Sequence, residues 1–248
     1  MNLSERYFKE TLGGTEFSVS EASKLLNIPI STVYAIIRKL LLTREITKLA
    51  PKTYAFYEVK KIEPSKEIND LRSLLLKIET RRFKFTGLCI LESFLHHVPT
   101  VLVYTLFVER GSSEDIIRKL EEFKTDILIV PEVTSKELEL LINKTNAKKI
   151  LIVKERKYFK YSSAGLASPE SAFIDLFFEI TRKNLPYFET DLKEIFKTIA
   201  CDKLVNYSIL FNYAHERKVT DEVNHFLKSL SLEIELPKTV LKWISKNI

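Results

Sequence analysis

The stretch of residues 18–57 constrains the fold more than any other part of the chain, because helix-start, helix-stop and strand signals follow one another in it at short intervals. Ser18 and Glu21 have the spacing of a capping box, in which a hydroxyl and a carboxylate bind the first free amides of a helix. We therefore predict a helix that begins near Val19 and ends two residues before Pro29, which cannot continue it and forms part of a turn. The apolar residues of this helix recur at helical spacing and are expected to form one buried stripe: Val19, Ala22, Leu25 and Leu26.

A second helix is expected after the turn, with Ser31 as its N-cap. Its apolar residues fall on one side: Val33, Ile36, Ile37, Leu40 and Leu41. The opposite side is mostly polar and basic, with Tyr34 at its edge, and consists of Ser31, Thr32, Ala35, Arg38 and Lys39. This pattern is typical of a recognition helix, whose first residues enter the major groove, where hydroxyls and an arginine contact base edges. Arg38 is the predicted base contact.

Two short runs of β-forming residues follow, at 46–48 and 53–57, around residues 49–52. They predict a hairpin, and the two helices with this hairpin predict a winged helix-turn-helix that binds double-stranded DNA. Lys48 and Lys52 would contact phosphates from the hairpin. Two amphipathic helices around a proline turn also occur in protein-interaction modules, so a domain that binds protein rather than DNA stays open as an alternative.

The excess positive charge is concentrated near the start of the chain. Residues 1–61 carry 10 Lys and Arg against 6 Glu, a net charge of +4, whereas residues 62–248 carry 29 basic against 27 acidic residues, a net charge of +2. Such a concentration is expected of a surface that contacts phosphates. A net charge of +4 is modest, so one module alone should bind weakly unless the protein dimerises or adds contacts elsewhere.

The composition is that of a folded protein without a membrane segment. The 248 residues, 45% of them hydrophobic and 29% charged, are enough for one large or two modest cores. The longest apolar runs fall short of the roughly 20 residues that cross a bilayer, and the N-terminus lacks the apolar core of a signal peptide. We therefore expect a cytoplasmic protein with no membrane partner. The two cysteines, Cys89 and Cys201, lie among apolar residues and predict no function.

A polar connector around Pro64 leads into a helical segment at 66–78, and the pattern then becomes α/β. A helix is expected from about Thr86 to His96. Short apolar strands at 101–108, 126–130 and 150–153 alternate with helices whose capping signals are Ser112-x-x-Asp115 and Thr134-x-x-Glu137. Short apolar strands separated by helices are typical of a partly parallel sheet.

From Ser168 onward the chain is expected to be helical, with Ser168 as a cap and Pro169 at the first helical position. The predicted fold is therefore α/β and multidomain. It comprises a winged helix at 1–62, a linker helix at 63–82, and a mixed α/β domain with a helical C-terminal part at 83–248. The last domain would serve dimerisation or partner binding.

Signals for catalysis are few. Glu155-x-Lys157, with Glu132 or Asp126 as a second carboxylate, faintly resembles the arrangement of metal-dependent nucleases, in which carboxylates hold Mg²⁺ and a lysine steadies the attacking water. Charged residues after a strand are also the ordinary way for a chain to leave a sheet, and the nuclease therefore stays an alternative. The five glycines form no phosphate-binding loop, and the histidines lack partners at metal-ligand spacing. The expectation is a protein with no catalytic residues, no metal and no cofactor.

The order of segments resembles the AbiEi family of antitoxins and related transcription regulators. The resemblance covers most of the chain and includes RRFKFTGLCILESFLHH before the α/β region. Its most specific part is Ala167-Ser168-Pro169-Glu170 followed by Ala172 and Asp175, similar to the family signature A-S-P-E-x-A-x-x-D. Physically, that segment is a capped helix start.

The resemblance implies a regulator without catalytic activity. Its winged helix would bind repeats in its own promoter, and its second domain would help counter a nucleotidyltransferase-type toxin encoded beside it. The DNA-binding positions that match are Ser31, Thr32, Arg38, Lys39, Lys48 and Lys52. The chain departs from many winged helices between recognition helix and wing, where it has residues 42–45 without a glycine.

Overall fold

The structure is a computed structural model, and it describes residues 8, 11–12, 16–42, 46–50, 52–56, 62–97, 99–123, 125–183, 185–202 and 205–247. The elements of the first part are β1 (Glu16–Ser18), α1 (Val19–Leu26), α2 (Ile30–Leu42), β2 (Ile46–Ala50) and β3 (Thr53–Phe56). The middle part comprises α3 (Lys66–Ile78), β4 (Phe83–Thr86), α4 (Leu88–Leu91), a 3₁₀ turn (Glu92–Phe94), β5 (Leu102–Glu109), α5 (Ser113–Glu121), β6 (Leu128–Pro131), α6 (Ser135–Thr145) and β7 (Lys149–Arg156). The last part comprises β8 (Ser162–Ser163), β9 (Leu166–Ala167), α7 (Pro169–Lys183), α8 (Glu189–Cys201), α9 (Tyr207–Arg217), α10 (Thr220–Leu230) and α11 (Lys238–Asn247).

The chain forms two compact units. Unit 1 combines residues 1–61 with residues 199–248, and unit 2 comprises residues 62–198. This division differs from the expected one, in which the C-terminal helices belong to an α/β domain at 83–248. The difference arises because α9 and α11 contact β2. An amphipathic helix shows in its sequence that one face is buried, but not which surface buries it.

Unit 1 has a small antiparallel sheet in the order β1-β3-β2, with Tyr54 of β3 opposite Phe17 on one side and Lys48 on the other. The edge strand β1 was not foreseen from the sequence. The apolar faces of α1 and α2 close over the sheet in one cluster, which contains Phe8, Leu12, Phe17, Val19, Ala22, Leu26, Val33, Ile36, Ile37, Leu40, Ile46, Tyr54 and Phe56.

Unit 2 confirms the prediction of a mixed α/β fold. Its six-stranded sheet has the order β6-β7-β5-β4-β9-β8, in which β5, β6 and β7 are parallel and β4 runs antiparallel to β5. The three predicted strands correspond to β5, β6 and β7, with ends that differ by one to three residues. The expected linker helix, α3, belongs to this unit and buries its own apolar stripe, Ile68, Leu71 and Leu75.

The prediction of a helix from Thr86 to His96 is wrong at its start. Residues 83–86 form β4, and a short helix begins only at Leu88, after Gly87 with a φ of 61°. Every side chain of β4 is buried, including Lys84. The alternation of basic and aromatic residues hid this strand, because a lysine inside a core is expected only when a buried carboxylate accompanies it.

That carboxylate is supplied by α7, which two buried ion pairs fix to the sheet. Lys84 Nζ lies 3.1 Å from Asp175 Oδ2, which also accepts a 2.7 Å hydrogen bond from the Thr86 hydroxyl. One turn further along α7, Glu179 pairs with Lys154 of β7. Between the two lysines, on β5, lies Phe107, the register partner of both. Asp175, the last position of the A-S-P-E-x-A-x-x-D segment, thus holds the helix to the strands.

The capping predictions of unit 2 are confirmed in two of three helices. Thr134 caps α6 in a full capping box with Glu137. The hydroxyl of Ser168 accepts the Ser171 amide at 3.3 Å at the start of α7. At α5, however, the Ser112 hydroxyl makes no cap and donates instead to a backbone carbonyl. Among the described residues, no helix has the length and apolar character that a membrane crossing requires.

Candidate nucleic-acid interface

The first helix of the interface, α1, is held at both ends. At its start the Ser18 hydroxyl accepts the Glu21 amide at 3.1 Å, and Glu21 Oε2 accepts the Ser18 amide at 2.6 Å, as the capping box predicts. The hydrogen bond that the carboxylate accepts from the Ser18 amide lowers the pKa of Glu21. At its end Asn27 is left-handed, with a φ of 50°, and the Ser23 hydroxyl donates a 2.7 Å bond to the Ile28 carbonyl. The turn between the helices is therefore rigidly placed.

The second helix begins two residues earlier than predicted, since an N-cap at Ser31 would place its first residue at Thr32. The Pro29 carbonyl accepts the amides of Thr32 and Val33 at 2.9 and 3.1 Å, so α2 starts at Ile30. Ser31 is therefore not the N-cap but an exposed residue of the first turn. Proline is tolerated at position 29, because the residue that precedes a helix donates no hydrogen bond within that helix.

The two faces of α2 divide largely as predicted. Val33, Ile36, Ile37 and Leu40 are buried in the core of unit 1. All the proposed contact residues of this helix are exposed, together with Ala35: Ser31, Thr32, Tyr34, Arg38 and Lys39. Residues three and four apart are neighbours on a helix surface, so Ser31, Tyr34, Ala35 and Arg38 form one continuous strip. We call these four residues the α2 strip.

The loop of the hairpin is shorter than predicted, because β2 extends to Ala50 and only residues 51–52 lie between β2 and β3. Lys52 has a φ of 64° and an exposed side chain, whereas Lys48 is half-buried. The Lys52 carbonyl accepts the Val19 amide at 3.1 Å, which ties the hairpin turn to the start of α1.

An apolar feature of this surface was missed by the sequence analysis. Leu25, expected in the buried stripe of α1, is 62% exposed, and Ile30 and Tyr34 are exposed on α2. Leu25 lies three positions after Ala22, but the residue of α1 that is buried together with Val19 and Ala22 is Leu26. The three exposed residues flank the turn and form what we call the turn patch. An apolar contact there suits a thymine methyl group or a protein surface.

The positive charge follows the units of the structure. Unit 1 carries 17 Lys and Arg against 12 Asp and Glu, a net charge of +5, and unit 2 carries 22 against 21, a net charge of +1. Because the C-terminal helices belong to unit 1, the charge asymmetry is larger than the predicted domains indicate. Unit 1 therefore carries most of the excess positive charge of the chain.

Comparison with known proteins places the chain in a family. A family model described as a family of unknown function, DUF6577, matches residues 32–233, which is well over half of the chain. The chain belongs to DUF6577. No curated protein matches the sequence significantly. Among solved structures, the Rv2827c protein from Mycobacterium tuberculosis is similar at 11% identity over 94% of this chain and 76% of that one, with a TM-score of 0.37.

The DUF6577 match begins inside α2 and ends just after α10, so it includes all of unit 2 and most of the α2 strip. Helix α1 and the turn precede it. The family description carries no activity.

Two carboxylates of the nuclease alternative, Glu155 and Glu132, have separate partners in this DUF6577 protein. Glu155 Oε1 accepts the Gly111 amide at 2.9 Å and the Ser113 hydroxyl at 2.8 Å, so it caps the start of α5 in place of Ser112. These bonds, the Gly111 amide foremost, lower the pKa of Glu155. Glu132 pairs with Arg156 at 3.3 Å. Among the residues that the structure describes, no three His, Cys, Asp or Glu side chains cluster as a metal site would require.

Proposed function

We propose that unit 1 of this DUF6577 protein is a winged helix and that the protein is a cytoplasmic regulator that binds double-stranded DNA with sequence preference. The observation that carries the proposal is the α2 strip. A helix held by a capped partner helix presents Ser31, Tyr34, Ala35 and Arg38 in one exposed line. A major groove admits such a helix, and hydroxyls, an arginine and small apolar groups are the side chains that contact base edges.

Electrostatics supports the same surface. The net charge of +5 on unit 1 draws that unit rather than unit 2 toward phosphates. Exposed Lys39 and Lys52 and half-buried Lys48 lie on or beside the proposed interface. Their role would be to position the module, because phosphate contacts carry no sequence information. A hairpin with a two-residue connection offers few such contacts, so a single copy should bind modestly.

We further propose that the DNA is the protein's own promoter and that the protein acts as an AbiEi-like antitoxin. The segment from Ala167 to Asp175, which resembles the family signature, supports this relation. Unit 2 would bind a nucleotidyltransferase-type toxin or a second copy of the chain. Its net charge of +1 suits a protein partner better than a DNA duplex. A dimer would double the phosphate contacts and match a repeated site.

The deciding experiment measures binding of the full chain to its own upstream DNA and to scrambled DNA of equal length, across a range of salt concentrations. Arg38→Ala should cost about 1–3 kcal/mol on the preferred site and relax one base preference. Lys52→Ala should weaken binding to all sequences alike and reduce the salt slope by about 1. Arg118→Ala, which removes an exposed arginine of unit 2, is the matched control.

Equal losses for Arg38→Ala on preferred and scrambled DNA would contradict base recognition by α2. Binding by the wild type without any preference would leave unit 1 as a weak electrostatic anchor.

The turn patch favours a second candidate function, a protein-binding module. Leu25 and Ile30 expose apolar surface, and so does Tyr34, which the turn patch shares with the α2 strip. In that case the chain should retain no DNA even at low salt, and Leu25→Ser should abolish binding of a co-purifying protein. Arg38→Ala should leave that protein complex intact.

A further inference from the structure

Unit 2 has a groove that the proposed DNA interface does not use. Residues 81–83, at the start of β4, and residues 158–160, just after β7, both line it. Each set belongs to a segment in which basic and aromatic residues alternate. Arg81, Arg82, Tyr158, Phe159 and Lys160 are among the lining residues, and the groove has a volume of about 480 Å³. Small-molecule sites fall in a range of about 300–1,000 Å³, so the groove is large enough for one organic ligand.

Arg82 is held in place while it stays accessible. Its guanidinium carbon lies 5.4 Å from the centre of the Phe159 ring, and Nη2 donates a 2.9 Å hydrogen bond to Glu109 Oε1. The side chain is nevertheless 64% exposed. A guanidinium that is oriented by a ring and a carboxylate loses little freedom when it binds an anion.

The floor of the groove is fixed by a charge network. Arg81 makes a two-point contact with Glu79, with 2.8 Å from Nε to Oε1, and also pairs with Asp115. Lys119 Nζ lies 3.1 Å from Glu79 Oε2. Arg81 therefore has a structural task, and the negative charge of Glu79 is already neutralised. The other basic residues that line the groove are Arg82 and Lys160.

Tyr158 supplies an aromatic face. The side chain is 65% exposed, and the ammonium of Lys157 lies 5.3 Å from the centre of its ring. A large aromatic residue beside cations is the arrangement with which proteins stack unpaired bases and track their phosphates.

The opposite wall, the β8–β9 hairpin, is rigid. Gly165 has a φ of 79°, and a Cβ placed there would lie 2.4 Å from Cε2 of Phe83. The Gly165 carbonyl accepts the Phe85 amide at 2.8 Å, and the neighbouring Ala164 carbonyl accepts Arg72 Nε at 2.7 Å. The groove is thus formed before any ligand arrives.

We propose that this groove binds a nucleotide, with its base against Tyr158 and its phosphate on Arg82. The nucleotide is either free or an unpaired unit of a strand, since the recognised chemistry is the same. This site lies in unit 2 and is separate from the α2 strip, which is proposed to contact duplex DNA.

The test uses the full chain and a short fluorescein-labelled oligothymidylate, with binding followed by fluorescence anisotropy. Tyr158→Ala should weaken binding about 5- to 150-fold, the range for loss of one stacked base. Arg82→Gln should weaken it about tenfold or more, because a charged hydrogen bond to phosphate is lost. The matched controls are Phe188→Ala, which removes an aromatic side chain that is 76% exposed elsewhere in unit 2, and Lys136→Ala on the exposed side of α6. Both should bind as the wild type does.

Competitors separate the two sources of the nucleotide. Displacement by thymidine monophosphate supports a free nucleotide, and displacement only by an unlabelled strand supports an unpaired unit of a strand. Displacement by inorganic phosphate or polyglutamate at equal charge concentration would show that the base is not recognised and would overturn the proposal. Two other results would also overturn the proposal. One is a Tyr158→Ala variant that binds as tightly as the wild type, and the other is a loss of affinity in Arg38→Ala as large as that in Tyr158→Ala.

Discussion

The ion pair between Lys154 of β7 and Glu179 of α7 allows the sharpest test of how unit 2 is held together. Both side chains are almost entirely buried, with Nζ 2.5 Å from Oε2, and within the described part of the chain Oε1 has no hydrogen-bond partner. Lys154→Met leaves a buried carboxylate unpaired, so we expect it to destabilise the protein by about 3–5 kcal/mol. For a chain of this length, that corresponds to a fall in Tm of roughly 6–20 °C.

The double variant Lys154→Met/Glu179→Leu should behave oppositely. It removes both charges and the unsatisfied oxygen at once. Replacing a buried ion pair with apolar residues of similar volume is often neutral or stabilising by about 1–4 kcal/mol. We therefore expect the double variant to be at least as stable as the wild type.

Thermal and urea unfolding of the full chain, followed by circular dichroism, measure both effects. Lys136→Met, which changes an exposed lysine of α6, should stay within about 0.5 kcal/mol of the wild type. A cost below about 1 kcal/mol for Lys154→Met would refute the burial argument. A double variant as unstable as the single one would show that packing, rather than charge, dominates at this position.

Three further predictions concern single residues. Ser18→Ala removes half of the α1 capping box and should lower the free energy of unfolding by about 0.5–2 kcal/mol in urea titration. Gly165→Ala should lower Tm by roughly 2–8 °C through its positive φ and more through contact with Phe83; Gly111→Ala, with a φ of 74° and no atom within 4 Å of its Cβ, isolates the first effect. Hydrogen bonds from Arg81 hold the pKa of Glu79 at about 2 instead of 4.5. The stabilisation that ionised Glu79 gives the folded state is therefore complete above pH 4.5 and is lost as the pH falls toward 2. The free energy of unfolding of Glu79→Gln should depend less on pH in that interval than that of the wild type.

Features that depend on near neighbours in the chain were predicted correctly from the sequence. The capping boxes at Ser18 and Thr134 are local, since both partners lie within one helical turn. Strands β5 to β7 are apolar enough to be visible without their neighbours. The polar face of α2 follows from helical periodicity alone, so its exposed residues could be named in advance.

Features that depend on packing or on distant residues were not predicted. Leu25 and Leu26 are adjacent leucines, and only the packing of α1 decides that the second is buried and the first exposed. The start of α5 is capped by Glu155, which lies 42 residues beyond Ser113 in the chain. No local pattern signals such a cap.

Sequence patterns alone predicted where most helices begin, which side of α2 is polar and that a partly parallel sheet follows, because these features depend on neighbours within a few residues. Three features depend on the tertiary structure: Lys84 lies in a core, the C-terminal helices belong to unit 1, and residues 81–83 and 158–160 line one groove. Each of these depends on which distant surface covers a given residue. Burial against a distant partner is a property of the whole fold, and a window of sequence does not contain it.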